Sequence, residues 1–200
     1  MGTVLLAHGA GAPMDSPFME TMAAGLTGHG WRVLRFEFPY MAQSRLDGRQ
    51  RAPDRLPKLL DAFRAAVAPL QGQGPVLIGG KSMGGRVASL LVDELAASAA
   101  VCGCLCLGYP FHPPGRPGQL RTAHLATLST PTLILQGERD SFGRRDEVEG
   151  YDLAAAVTVE WIPAGDHSFR PLRSSGRSEA DNLSLAIERA DRFCRRCFGQ

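Results

Sequence analysis

Lysine is almost missing from this chain: Lys58 and Lys81 are the only two among 200 residues, although Lys and Arg together number 22. Arginine in place of lysine, with abundant alanine and glycine, is the bias of a GC-rich bacterial genome and carries no functional signal. Neither sign of charge dominates. The formal net charge is +2 and both signs are spread along the chain, which leaves no basic stripe of the kind that neutralises nucleic-acid phosphates, so nucleic acid is not an expected partner. No apolar run approaches the roughly 20 residues of a membrane-spanning helix. The stretch MGTVLLAHGAGAP lacks the positive start and the length of a signal peptide, and Leu6 breaks the myristoylation pattern. The expectation is a cytoplasmic protein with no membrane partner, in a compartment where cysteines stay reduced.

Metal-ligand clusters are missing too. Cys194-x-x-Cys197 has no second pair to complete a zinc site, and both cysteines continue the apolar stripe Leu183, Ala186, Ile187, Ala190, Phe193 of a helix, so core packing is expected and no metal or cofactor is called for. Cys102, Cys104 and Cys106 alternate along VCGCLCLGY and are expected to share one face of a strand. There is no internal repeat and no low-complexity tract.

What is present is a regular alternation. Six short apolar runs, at 3–9, 32–38, 75–80, 101–109, 131–137 and 157–163, have strand length and are mostly rich in Val, Leu, Ile or aromatics. Helical patterns lie between several of them: one opened by Ser16-Pro17 and carrying Met19, Met22, Ala23 and Leu26, one over about 55–70, one after Ser82 with Val87, Leu90, Leu91 and Leu95, and a last one from about Ser178 to Cys197. Strands alternating with helices make βαβ units, hence an α/β fold with a doubly wound, mostly parallel sheet of about six strands and helices on both faces. The length favours one domain, residues 1–200. The polar stretches 40–57 and 112–122 are loop-sized and are expected to be insertions within it. In such a sheet the ligand site lies beyond the C-terminal strand ends, so a functional side chain should fall just after a strand.

Ser82 does. It stands in Gly80-Lys81-Ser82-Met83-Gly84, between a buried strand and an amphipathic helix, where glycine on both sides permits a sharp strand-to-helix turn. A serine hydroxyl is a poor nucleophile near neutral pH and needs a base, which in turn needs an acid to orient it. Asp140 follows its strand by three residues and His167 follows the next by four. The order Ser82, Asp140, His167 is the one in which an α/β-hydrolase sheet assembles a triad. His8, His29, His112 and His124 fall at turns, a helix end or a loop ahead of the acid and are weaker candidates for the base. An oxyanion would take amide donors from Met83, next to the nucleophile, and from the HGAGA turn after the first strand, through Ala10.

The motifs LLAHGAGAPMDSPFM, GGKSMGGR, YPFHPPGRP, LRTAHL, ILQGERDSFG and GDHSF together resemble the small α/β-hydrolases known as bacterial dienelactone-hydrolase-like predicted hydrolases. They also resemble the hydrolase-like domain of an NSL histone-acetyltransferase subunit and its testis-expressed relatives. The resemblance covers almost the whole chain. It implies six strands beginning at the one that leads to the oxyanion loop, and triad roles for Ser82, Asp140 and His167. Dienelactone hydrolases proper use cysteine where this chain has Ser82, so the resemblance implies no substrate.

Strand-end loops should bring Met14, Phe18, Tyr40, Met41, Phe111, Phe142 and Phe169 to the site as apolar walls, and Arg121 among several loop arginines as a polar contact for substrate. No insertion after the fourth strand is large enough for a lid. The reading is a serine hydrolase that cleaves a small carboxylic ester or related acyl compound through an acyl-enzyme. The alternatives are acyl transfer or perhydrolysis by the same triad, and a hydrolase-like binding or scaffold module without turnover.

Overall fold

A computed structural model describes residues 2–98 and 101–199. The six apolar runs form strands at Thr3–Ala7 (β1), Arg32–Phe36 (β2), Val76–Lys81 (β3), Val101–Leu107 (β4), Thr132–Gly137 (β5) and Val157–Ile162 (β6). They pair in the order β2-β1-β3-β4-β5-β6, every pair parallel. The inner strands β1, β3 and β5 are buried along their whole length, which is why they read as continuous apolar runs rather than alternating ones.

Helices cover both faces because each strand alternates its side chains. On one face Val4, Leu6, Leu77, Leu105 and Leu133 meet Met19, Met22 and Leu26 of Pro17–Gly28 (α1) and Ala186, Ala190 and Phe193 of the long C-terminal helix. On the other, Leu5, Ile78, Cys104 and Ile134 meet Leu59 and Phe63 of Leu56–Val67 (α3) and Val87, Leu91 and Leu95 of Met83–Ser98 (α4). A fully buried side chain of this kind contributes about 1.5–3 kcal/mol. Between these elements, Pro39–Asp47 forms a further helix (α2), and Arg145–Val148 (α5) and Glu179–Phe198 (α6) complete the set. Ser178 caps α6 reciprocally with Asp181.

Two expectations from sequence are corrected. The stretch 40–57 is not all loop, because α2 starts with Pro39 and stops at Gly48 in the left-handed region. It buries only Tyr40, so no apolar period betrays it. Cys102 does not share a face with Cys104 and Cys106. The register slips between Val76 and Leu77, leaving Cys102 as the extra residue of a bulge. Cys102 therefore packs on the α6 side with Cys197, while Cys104 and Cys106 stay on the α4 side with their sulfurs 3.8 Å apart. Burial pushes the Cys102 thiol up to about 12 and that of Cys197 to about 11, as packed, unreactive thiols require.

The irregular segment between β4 and β5 is pinned to α4 by His124. Ser89 Oγ donates to the Arg86 carbonyl, so His124 Nε2–H donates to Ser89 Oγ at 2.9 Å. Burial, reinforced by Arg86, lowers the His124 pKa to about 4; no carboxylate offsets it, and Tyr109 and Ser89 are its other polar neighbours. As pH falls below about 6.5 the unfolded chain takes up a proton that the folded imidazole refuses, so stability is lost until pH reaches about 4. Denaturant unfolding at pH 7 and pH 4.5 should show a loss that is smaller in His124→Gln by about 1–2 kcal/mol, allowing for solvent screening.

Candidate active site

The chain leaves β1 toward β2 and then returns past β1 to β3, so the strand order reverses between β1 and β3, where a crevice opens at the carboxyl ends. Ser82 lies there, in the turn from β3 to α4, with φ of 50°. A serine in the left-handed region is strained by about 1–3 kcal/mol and has to be held by its surroundings. Its N–H donates to the Leu107 carbonyl at 3.0 Å, and its own carbonyl accepts from Arg86 N–H at 3.0 Å. Glycine is needed beside it. A Cβ at Gly84 would stand 2.6 Å from both the Ala7 and the His8 carbonyl oxygens.

Loops from β5 and β6 reach the same point. His167 Nε2 lies 2.9 Å from Ser82 Oγ, and its Nδ1 lies 2.7 Å from Asp140 Oδ2. The carboxylate can only accept, so Nδ1 carries the proton and Nε2 is left to accept from the serine hydroxyl. Asp140 is fully buried, and its oxygens also accept from Gln136 Nε2 at 2.9 Å and from the Phe142 amide at 2.8 Å. Asp166, beside His167 in sequence, is turned inward on its own loop, where Oδ1 accepts from the Ser168 and Arg170 amides. The Phe142 ring covers the imidazole with centroids 4.3 Å apart. Lys81 Nζ donates to the His167 carbonyl at 2.5 Å and sits 5.3 Å from the centre of the Phe18 ring, and burial lowers its pKa to about 8.

A cavity of about 460 Å³ opens over this group, lined by the 9–12 loop, the first turns of α1, Lys81, Phe142, Arg170 and residues Glu179 and Leu183 of α6. The amides of Ala10, Gly11 and Met83 have no acceptor among the described residues, and Ala10 and Gly11 border the cavity. Of the side chains expected as walls, Phe142 and Phe18 are in place. The others are corrected. Phe111 is fully buried against Tyr109, and Phe169 is fully buried beneath Phe18 with their centroids 5.4 Å apart. Tyr40 lies behind the 9–12 loop, bonded to its carbonyls, and Met41 packs on the core of the α3 and α4 face. Arg121 belongs to the Tyr109 and Arg86 cluster beside α4, away from the cavity. Met19 and Leu183 were missed as lining residues because their apolar periodicity marks α1 and α6 only as core helices, and Thr21, on the exposed side of α1, carries no signal at all.

Comparison with known proteins agrees with this architecture. The α/β-hydrolase domain family matches residues 1–195. The chain belongs to that family. Among solved structures, this α/β hydrolase is similar to Est1E from Butyrivibrio proteoclasticus, determined with ferulic acid bound, at TM-score 0.74 and 15% identity over 100% of this chain and 90% of the other. It is also similar to an α/β serine hydrolase without a lid from Xanthomonas campestris, at TM-score 0.71 and 20% identity over 100% and 83% of the two chains. A dienelactone hydrolase from Anabaena variabilis matches at TM-score 0.68 and 23% identity over 94% and 84%. At these identities the likeness is one of fold. Among the described residues no lid element covers the cavity, and no helix is long and apolar enough to cross a membrane.

The tight contacts at the turn make Gly84 a sensitive position. Gly84→Ala should lower the unfolding free energy by about 1–3 kcal/mol in denaturant titration, because neither facing carbonyl can retreat without moving β1.

Proposed function

We propose that this α/β hydrolase cleaves small carboxylic esters or related acyl compounds, with Ser82 as nucleophile, His167 as general base and acid, and Asp140 as the carboxylate that orients it. The observation that carries the proposal is the unbroken hydrogen-bonded chain from Ser82 Oγ through both ring nitrogens of His167 to a buried carboxylate, at the floor of a cavity. The esterases and serine hydrolases among its structural neighbours support the same reading.

In this mechanism Ser82 Oγ attacks the acyl carbon as its proton passes to His167 Nε2. The carbonyl oxygen becomes an oxyanion facing the amides of Met83, at the start of α4, and Ala10, where the helix terminus adds favourable partial charge. Collapse of the tetrahedral adduct breaks the bond to the leaving group, which takes the proton from His167 and departs, leaving acyl-Ser82. Water then repeats the sequence: His167 takes its proton, its oxygen attacks the acyl carbon, and Ser82 Oγ leaves and is reprotonated. The buried Asp140 stabilises the imidazolium formed in each half-reaction. A cavity of about 460 Å³ with no lid suits a small acyl substrate.

Hydrolysis of p-nitrophenyl esters from acetate to octanoate should be measurable and should vanish in Ser82→Ala. A fluorophosphonate should label Ser82 alone, as located by peptide mass mapping, and heat-denatured protein should not react. Asp140→Asn should cost about 10⁴-fold in kcat by the logic of other triads. Asp166→Asn, which disturbs only the turn, should cost far less. The opposite ranking would transfer the acid's role to Asp166, and a correctly folded protein that neither hydrolyses nor labels would be a binding module.

A further inference from the structure

The 9–12 loop is irregular, yet the proposed chemistry asks it to present an amide in a defined direction. In a trans peptide the N–H points opposite to the preceding carbonyl, so a group that holds the carbonyl aims the amide. Two buried side chains hold carbonyls of this loop from the side away from the cavity. Tyr40 Oη lies 2.9 Å from the Ala10 carbonyl oxygen and 3.3 Å from that of Gly9. His8 Nδ1 lies 2.6 Å from the Gly9 carbonyl oxygen.

The ring state of His8 follows from its partners. Its Nε2 accepts from the Phe38 amide at 3.1 Å, so the proton is on Nδ1, which donates to Gly9. Burial lowers its pKa and keeps the ring neutral, against weaker opposing influences from the hydrogen bond to the Gly9 carbonyl and from Glu37. Burial also pushes the Tyr40 phenol up to about 12, with Asp54 and Glu37 acting in the same direction, so it remains a donor. The two rings pack edge to face at 5.8 Å, and the Tyr40 amide is fixed by Asp54 Oδ2 at 3.1 Å.

We propose that Tyr40, backed by His8, is a positioning residue of the oxyanion loop: by holding the Gly9 and Ala10 carbonyls it turns the amides of Ala10 and Gly11 into the cavity. The proposal rests on the serine-hydrolase reading and adds Gly11 N–H as a second donor from this loop. It also explains why Tyr40, in the first turn of α2, ends up behind the site rather than in its wall. Hydrogen bonds at the carbonyls polarise the peptides as well, which strengthens the same amides as donors.

Tyr40→Phe keeps the buried ring and removes only the hydroxyl. With p-nitrophenyl acetate, kcat should fall about tenfold, less than for loss of an oxyanion donor itself, while KM changes less than twofold. Inhibition by phenylboronic acid, whose serine adduct carries the tetrahedral charge, should weaken in parallel with kcat, while inhibition by free acetate, a ground-state ligand, should not. Phe63→Leu, in the same core but away from the loop, controls for stability and should leave kcat and both inhibition constants unchanged. If wild type hydrolyses the ester and binds the boronic acid but Tyr40→Phe matches it, the positioning role is overturned and the hydrolase reading stands. Equal loss of boronic-acid and acetate binding would also overturn it, as general disruption. A wild type that neither turns over nor binds the boronic acid overturns both.

Discussion

The left-handed backbone of Ser82 is the constraint around which the rest of the molecule is arranged. It costs about 1–3 kcal/mol and exists only because the surrounding sheet overdetermines it. β3 lies in the middle of the sheet, flanked by β1 and β4, and the register pairs Ala7 with Gly80 and Lys81 with Leu107. Those pairings place the Ala7, His8 and Leu107 carbonyls where the turn must contact them, and leave no room for a side chain at Gly84. Because every strand is parallel, all carboxyl ends lie along one edge. The loops after β1, β5 and β6 therefore arrive at the same turn without any further device.

The loop that carries His167 is the least regular of these, with Ala164 and Phe169 both at positive φ and a single bridge between Gly165 and Pro171. Glu138, Arg139 and Asn182 bind its backbone at either end, and His167 itself is held from two directions. Asp140, from the end of β5, holds the imidazole, and Lys81, from the end of β3, holds the carbonyl of the same histidine. A buried ammonium is a costly tether, and burial lowers its pKa accordingly. What it provides is a direct strut between the two strand ends that must keep Ser82 and His167 within hydrogen-bond distance. Phe142, tilted over the imidazole with centroids 4.3 Å apart, packs against the same ring.

This division explains what could be read from the sequence. Ser82, Asp140 and His167 were legible because each follows a buried apolar run, and chain order alone assigns them to neighbouring strand ends. The wall residues were not, since a position in a strand-end loop fixes the end of the sheet but not the face to which the side chain turns. Phe111 and Phe169 turned into the two cores, and Tyr40 went behind the loop it was expected to accompany. Cys102 shows the same limit inside a strand. One extra residue against Val76 reverses its face, and no local residue preference announces the bulge.

The cavity lies on one side of the sheet, between α1 and α6, helices whose inner faces are locked in the core by Met19, Met22, Ala186 and Ala190. Walls of that kind are formed before any ligand arrives, so selection among substrates falls to fit rather than to closure. The rim differs. Arg170 and Glu179 pair at 3.2 Å while both remain largely exposed, and an exposed pair is worth about 0–1 kcal/mol. A ligand group could replace either partner at little cost, whereas displacing Lys81 from the His167 carbonyl would loosen the hydrogen-bonded chain from Asp140 through His167 to Ser82. The rigid floor and the exchangeable rim therefore separate the demands of chemistry from those of recognition within a single short chain.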